Sequence, residues 1–548
     1  MIGGALRSRV RFRELALVFL GFAALTVAIT SPLAFHLGTV GRVDNGDGQL
    51  SIWNVAWVAR TLVVDPRHVF DANIFYPRRW TLAYSETNLG AGALAIPVYW
   101  ATGNPYAAHN FVVLLSFVLS GAGTYYLVRY LVNDRWAATI AAICFACCPY
   151  MFGHMPHIQL LMSAGLPLGQ LAFHRVADRP SGRRGAVLGL TMATQALFCG
   201  YYAVFVMLMV GFSVLLIAAM RRLWTDARFW RGIAVAAGVS IALALPLYLP
   251  YASLQRATDF NRSLDEARRY SADWRTYFAS GSYAHAWMLT LIGHWGELLF
   301  PGFVASMFGL AGAVTGWFAR GRLRELSVLY ASLAGLAFWA SLGPRAGLYS
   351  ALYSALPVFS FLHAPSRFGL VVALALSVLA GIALTALRAR VSRPALVGTV
   401  LAIAAAAELM VPLHFPDVEP VETVYRVLAT LPRGAVLELP VYSPRFAFLR
   451  TQYMLSSTAH WMPLVDAYSD YIPQDFNDQA EILGGFPTEA AFKLLEPGRV
   501  RYAVFHIDRY SPGSRDELRG RLSALSPYLL PRYADTRVEL YEILSYPR

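Results

Sequence analysis

Apolar runs of about bilayer length, separated by polar connections, fill most of this chain. A helix crossing hydrocarbon needs about 20 mostly apolar residues, because lipid offers the backbone no hydrogen-bond partner. Eleven runs are candidates: residues 15–35, 107–131, 136–152, 158–176, 186–200, 203–219, 233–249, 298–318, 326–342, 368–387 and 395–412. Arginines mark alternate connections. Arg7, Arg9, Arg11 and Arg13 precede the first run, and the later clusters begin at Arg135, Arg175, Arg221, Arg320 and Arg388. Short cytoplasmic connections carry an excess of Lys and Arg. The N-terminus is therefore expected in the cytoplasm and the segment after Pro412 outside, which requires an odd number of spans. The first run is long and lacks a small-residue cleavage site, so it is expected to be an anchor, not a signal peptide.

Four stretches fall on the outer side: the long first loop 36–106, then 250–297, 343–367 and 413–548. The expected division is a membrane domain, 1–412, that includes the first loop, and an extracytoplasmic domain, 413–548. The outer stretches are rich in Trp, Tyr and Pro, unlike disordered segments, and are expected to be ordered. Residues 49–64 form a helix with Trp53 and Trp57 four apart, which suits a segment lying in the membrane interface. Residues 88–101, broken by Gly90, Gly92 and Pro97, should dip into the bilayer or lie flat. In the terminal domain the pattern predicts helices over 421–431 and 515–525 and strands over 435–439, 502–507 and 538–543, a small α/β unit.

Composition agrees with lipid as the solvent. The chain is 57% hydrophobic and 14% charged, against about a quarter charged in soluble domains. Its net charge of +13 comes from arginine clusters beside apolar runs, with no basic stripe for nucleic acid. Cys144, Cys147, Cys148 and Cys199 lie in apolar surroundings, read as packing residues, and the terminal domain has no cysteine.

The sharpest chemical feature is the turn 43–49, where Asp44 and Asp47 stand among Gly46 and Gly48. Such carboxylates can accept a proton or hold a hard cation, although Asp, Asn and Gly are also what solvated turns are made of. A second group is His154, His157 and Gln159 in the outer turn between the third and fourth runs. Two histidines and an amide there can orient a substrate or contact a metal, or simply occupy an interface. The third comprises Arg345, His363 and Arg367 in the outer stretch before the tenth run. The positive-inside bias disfavours arginine outside, and its planar fork matches phosphate, so substrate binding is weighed there against snorkelling to headgroups. His294 and Glu297 approach from the same side.

Taken together, the pattern resembles the GT-C class of integral-membrane glycosyltransferases. Carrying the resemblance are the cytoplasmic N-terminus, the acidic first outer loop, the many spans, the basic outer residues and the terminal outer α/β domain. Residues 363–369, 425–439 and 460–468 also look like stretches of uncharacterised bacterial multi-pass membrane proteins of this kind. The resemblance implies a GT-C-like α-helical polytopic fold of about eleven transmembrane helices in a bacterial plasma (inner) membrane. It implies transfer of a sugar from a polyprenyl-phosphate-linked donor to an extracytoplasmic glycan, lipid or protein, with inversion. Asp44 or Asp47 matches the acidic residue proposed in that class as base or metal-coordinating group. His157, Gln159, Arg345, His363 and Arg367 are the substrate-binding candidates. The Asp-x-x-Asp spacing departs from the tighter Asp-x-Asp, so a divalent cation, Mg or Mn, stays open.

Two other classes compete: a transporter or flippase of lipid-linked saccharide, and a non-catalytic accessory protein of cell-envelope polysaccharide assembly. Transport sites place ionisable groups near the midplane, yet Glu408, the main charged residue inside a run, lies near the outer end of the last one.

Overall fold

A computed structural model describes residues 12–42, 44, 46–258, 261–293 and 295–547. Arg7, Arg9, Arg11 and His294 lie outside the described residues. The chain divides into two compact units, Met1–Phe35 with Phe111–Leu249 and Asp259–His414, and His36–Asn110 with Pro250–Thr258 and Phe415–Arg548.

In the first unit every predicted apolar run carries helix. Among the described residues six helical segments are long and apolar enough to cross a membrane: Phe12–Ile29, Pro105–Val132, Arg135–Gly153, Gly200–Arg221, Ala227–Thr258 and Pro365–Arg388. The remaining runs hold Gly165–Asp178, Gly182–Phe198, Phe303–Trp317, Arg322–Ser341 and Pro394–Glu408, which are shorter or more polar. The run 136–152 is interrupted at Cys147, and Pro149, which has no N–H to leave unsatisfied, opens the next short helix. The run 158–176 is likewise split into Ile158–Leu161 and Gly165–Asp178. A buried side chain, Gln195 on Gly182–Phe198, bridges that break. Its amide nitrogen donates to Met162 O at 3.0 Å and its oxygen accepts from the Gly165 N–H at 3.0 Å.

Glu408 has an equally structural role. Its carboxylate accepts from the backbone N–H groups of Phe303 and Val304, at the start of Phe303–Trp317, and pairs with His285 Nε2 at 2.9 Å. The charge thus sits on the positive end of a helix. Phe303–Trp317 then lies tightly along Gly369–Arg388. A Cβ on Gly312 would stand 2.0 Å from Leu379 O, and one on Gly309 2.9 Å from Leu376 O, so the two backbones touch where only glycine fits.

The second unit contains a four-stranded sheet of order β1-β2-β4-β3, from β1 Val436–Leu439, β2 Tyr502–His506, β3 Leu529–Ala534 and β4 Val538–Ile543. β1 and β2 are parallel, and the β2/β4 and β3/β4 pairs are antiparallel. Both helices and all three strands expected in the terminal domain are present within a few residues. β3 and the helices Thr451–Ser456, Gln474–Gly484 and Glu489–Leu495 were not legible.

The first loop belongs to this unit rather than to the first, and its hydrogen bonds show why. Asn73 O accepts from the Leu464 N–H and Tyr76 N–H donates to Leu464 O, both at 2.9 Å, while Leu464 forms a parallel bridge with Val436 of β1. Trp53 and Trp57 are buried inside the unit, which corrects their expected place in a membrane interface. Trp53 donates to Asn73 Oδ1 at 3.1 Å, Trp57 donates to Val69 O at 2.9 Å, and the Trp57 ring packs on Trp461. Every residue of helix Asp47–Val64 from Ser51 to Ala59 is buried, so the face that carries the two tryptophans packs on protein. The stretch expected to dip or lie flat is the helix Leu89–Thr102.

Overpacking a tight contact typically costs about 1–3 kcal/mol. Gly312→Ala is expected to lower the apparent Tm of the purified chain in detergent, whereas Gly335→Ala, whose Cβ would meet open space, should leave it unchanged or slightly raised. Equal Tm values for the two variants would show that the close helix contact contributes nothing.

Candidate functional site

In the first unit the polar candidates gather where helices break. Glu297 is approached by His154, Arg367 and His157. Its carboxylate lies 3.3 Å from His154 Nε2, and the other ring nitrogen of His154 is 2.9 Å from Tyr150 O. Both nitrogens therefore face oxygen acceptors. Burial alone would raise the Glu297 pKa, but the neighbouring histidine and Arg367 outweigh it and hold the carboxyl below its ordinary value. The His154 ring also stacks on Tyr150, centroids 4.1 Å apart.

Arg367, in the short turn Pro365–Phe368 that leads into Gly369–Arg388, places its guanidinium 4.2 Å from the Tyr201 ring centroid, with Tyr150 and Tyr202 close by. Aromatic faces favour a cation without neutralising it. Tyr201 also organises His363. Its hydroxyl accepts from the His363 backbone N–H at 2.8 Å and lies 2.8 Å from His363 Nδ1, an arrangement in which the hydroxyl donates to that nitrogen and the ring proton sits on Nε2. Tyr202 donates to Leu160 O at 2.8 Å, at the end of the short helix Ile158–Leu161. Gln159 Oε1, in that same helix, is buried and has no hydrogen-bond partner among the described residues.

His157, His363 and Arg367 are thus brought into one neighbourhood with Glu297. Arg345 is not: it is exposed in the turn Pro344–Ala346, with no hydrogen bond or ion pair among the described residues. Tyr150, Tyr201 and Tyr202 went unnoticed in the sequence. The one signal for Tyr201 and Tyr202 was their adjacency after Gly200 at the outer start of a span.

The acidic turn belongs to the second unit. Asp44 is exposed, and its Oδ1 accepts from the Gly48 N–H at 2.7 Å, so it caps helix Asp47–Val64, which Asp47 opens. Gly46 makes the turn with φ +135°, a conformation closed to L side chains without strain. Arg42 is nearby: burial lowers its pKa and the Asp44 charge partly restores it. No group of three or more His, Cys, Asp or Glu able to hold a metal occurs among the described residues.

A second polar cluster lies under the sheet of this unit. Glu438 of β1 has its Oε2 3.0 Å from His506 Nε2, and the Tyr425 hydroxyl is 3.2 Å from that nitrogen. All three are buried. Burial pushes the Glu438 pKa up to about 8 and the His506 pKa down to about 3. Burial thus favours the uncharged form of both members of the pair. Asp466, also buried, is pushed up by burial to about 7 despite Arg450.

Neither a protein-family model nor a curated protein matches the chain. Solved structures do. The arabinofuranosyltransferase AftD from Mycobacteria superposes with a TM-score of 0.57 at 15% identity, covering 98% of this chain and 40% of that one. A mutant form of the same enzyme gives 0.56 at 17% identity, over 98% and 42%. ArnT from Cupriavidus metallidurans, in the apo state, gives 0.42 at 14% identity, over 96% and 99%. This chain spans about 40% of the length of the AftD chain it matches. The likeness defines the class of architecture: the chain has a GT-C-type fold, a helical membrane protein carrying a small C-terminal sheet.

The buried acids set a pH dependence. A carboxyl whose pKa is raised on folding contributes stability that is present below its unfolded value and lost as pH rises through the folded one. Glu438 therefore weakens the second unit as pH rises from about 4.5 to about 8. His506, lowered on folding, acts below pH 6.5, weakening the unit as pH falls toward 3. In thermal unfolding of the full chain, Glu438→Gln should flatten the loss of stability between pH 6 and 9. An unchanged slope would mean that Glu438 is not the titrating group.

Proposed function

We propose that this protein is a membrane glycosyltransferase that moves a sugar from a polyprenyl-phosphate-linked donor to an acceptor on the extracytoplasmic side, with inversion at the anomeric carbon. The observation that carries the reading is Arg367: a fixed cation, half-buried against tyrosines at the mouth of a span, in a chain with a GT-C-type fold. Such a cation suits a phosphate, which a departing polyprenyl carrier bears.

In the proposed step the acceptor oxygen attacks the anomeric carbon as the bond from that carbon to the phosphate oxygen breaks. The electron pair leaves with the polyprenyl phosphate, whose charge Arg367 offsets. The acceptor proton passes to a carboxylate, and Asp44 or Asp47 is assigned that role. Asp44 is held in one orientation by the Gly48 amide, as a positioned base should be. His363, oriented by Tyr201, and Gln159, with its buried unpaired oxygen, are assigned to sugar hydroxyls. His157 joins Arg367 around Glu297, on the phosphate side.

Transport finds less support, because Glu408 and His285 are engaged in capping a helix. The test is transfer of radiolabelled sugar from polyprenyl-phosphate donors by the purified chain in lipid, with and without chelator. General-base catalysis contributes roughly 10²- to 10⁴-fold, so Asp44→Ala/Asp47→Ala is expected to lower turnover by that order while the protein stays folded. Full activity in the double variant would remove both from catalysis. Arg367→Lys keeps the charge and loses the fork, and should fall by roughly tenfold or more. Absence of transfer from every donor would favour the transport and accessory readings.

A further inference from the structure

Arg221 ends the helix that Tyr201 begins, so the two residues lie roughly 30 Å apart at 1.5 Å per residue. At the Arg221 end, the side to which the positive-inside bias assigns the cytoplasm, the first unit holds a cavity of about 740 Å³. Five arginines line it, Arg175, Arg179, Arg184, Arg221 and Arg322, with only Asp178 and Glu325 as counter-charges. A neighbouring cavity of about 530 Å³ shares Arg175 and Arg184 and adds Arg183.

The two acids are already engaged. Asp178 accepts from Arg322 at 2.8 and 2.9 Å, from Arg221 at 3.0 Å and from the Tyr130 hydroxyl at 2.8 Å, while Glu325 accepts from Arg221 Nε at 2.6 Å. That leaves Arg175, Arg179 and Arg184 around the space with no acidic partner among the described residues. The Tyr130 ring lies under both Arg175 and Arg322, at 5.8 and 5.9 Å from the guanidinium carbons. Two helices, Gly182–Phe198 and Arg322–Ser341, begin beside the space, so their positive ends add to the field.

A positive-inside signal by itself needs arginines only in the connection. Here they come from the ends of four different helices and a loop, and they line a single concavity of a size typical of ligand pockets. We propose that this cavity is a second binding site, distinct from the outer cluster, for a phosphate-bearing anion. In a membrane the source nearest to hand is the headgroup of an anionic phospholipid; a soluble phosphate is the other.

The test uses the full chain purified in detergent, with native mass spectrometry reading retained ligand. One arm titrates phosphatidylglycerol against phosphatidylcholine, and the other titrates inorganic phosphate and pyrophosphate. Arg175→Ala/Arg184→Ala is compared with Arg390→Ala/Arg393→Ala, which removes the same charge from another connection. The pocket variant should bind the preferred probe roughly 10- to 30-fold more weakly, with the control near wild type. Preference for phosphatidylglycerol identifies a lipid site, and preference for inorganic phosphate or pyrophosphate a soluble ligand. Arg175→Lys/Arg184→Lys, which keeps the charge, separates lost recognition from lost folding by retaining at least part of the binding. Equal losses in the pocket and control variants, or no binding of any probe by the wild type, would overturn the proposal.

Discussion

A backbone amide or carbonyl that leaves a helix inside hydrocarbon has no solvent to turn to, so every break in a spanning segment must be satisfied by protein. The first unit depends on how it meets this constraint. Gln195 closes the gap at Met162 and Gly165 from both sides, Tyr202 takes up Leu160 O, and the Tyr201 hydroxyl receives the His363 amide. The polar residues that hold these breaks lie next to the groups assigned to substrate. Deleting such a side chain would leave a buried peptide group unpaired, a penalty of about 1–3 kcal/mol apart from any effect on chemistry.

The same constraint accounts for Glu408. An acid at the end of a span invites a reading as part of an ion path, yet this one neutralises the open N-terminus of Phe303–Trp317 and fixes His285. That helix can then press its glycines onto Gly369–Arg388, whose first turn follows Arg367. The cap, the helix contact and the placement of the guanidinium form a connected chain of causes within one unit.

Hydrophobic periodicity carried much of this fold in plain view. All eleven apolar runs contain helix, because bilayer length is written directly in composition. Their interruptions were harder to see: Pro149 announced one, but Gln195 acts across a sequence distance of 30 residues and left no local trace. β3 was invisible because it is an edge strand with Pro531 and Arg532 at exposed positions, so it lacks an apolar run. Trp53 and Trp57 looked interfacial because tryptophan is common there, and their burial is decided by residues some 400 positions away. In the candidate site, Arg367, His363 and His157 were visible as polar groups at the ends of spans. Arg345 had the same signature and stands apart. The tyrosine setting of Arg367 is a tertiary fact. Glu438 was visible as the one charge in an apolar strand, but its partner His506 sits on a strand 68 residues later.

The cap at the start of Asp47–Val64 ties a candidate base to a piece of backbone. A carboxylate accepts a hydrogen bond more strongly than a carboxylic acid does. The side chain of Asp44 and the first turn of the helix are held by one hydrogen bond, so whatever draws on that carboxylate draws on the helix start as well. The exchange rate of one amide with deuterated solvent becomes a local reporter of whether that hydrogen bond is made.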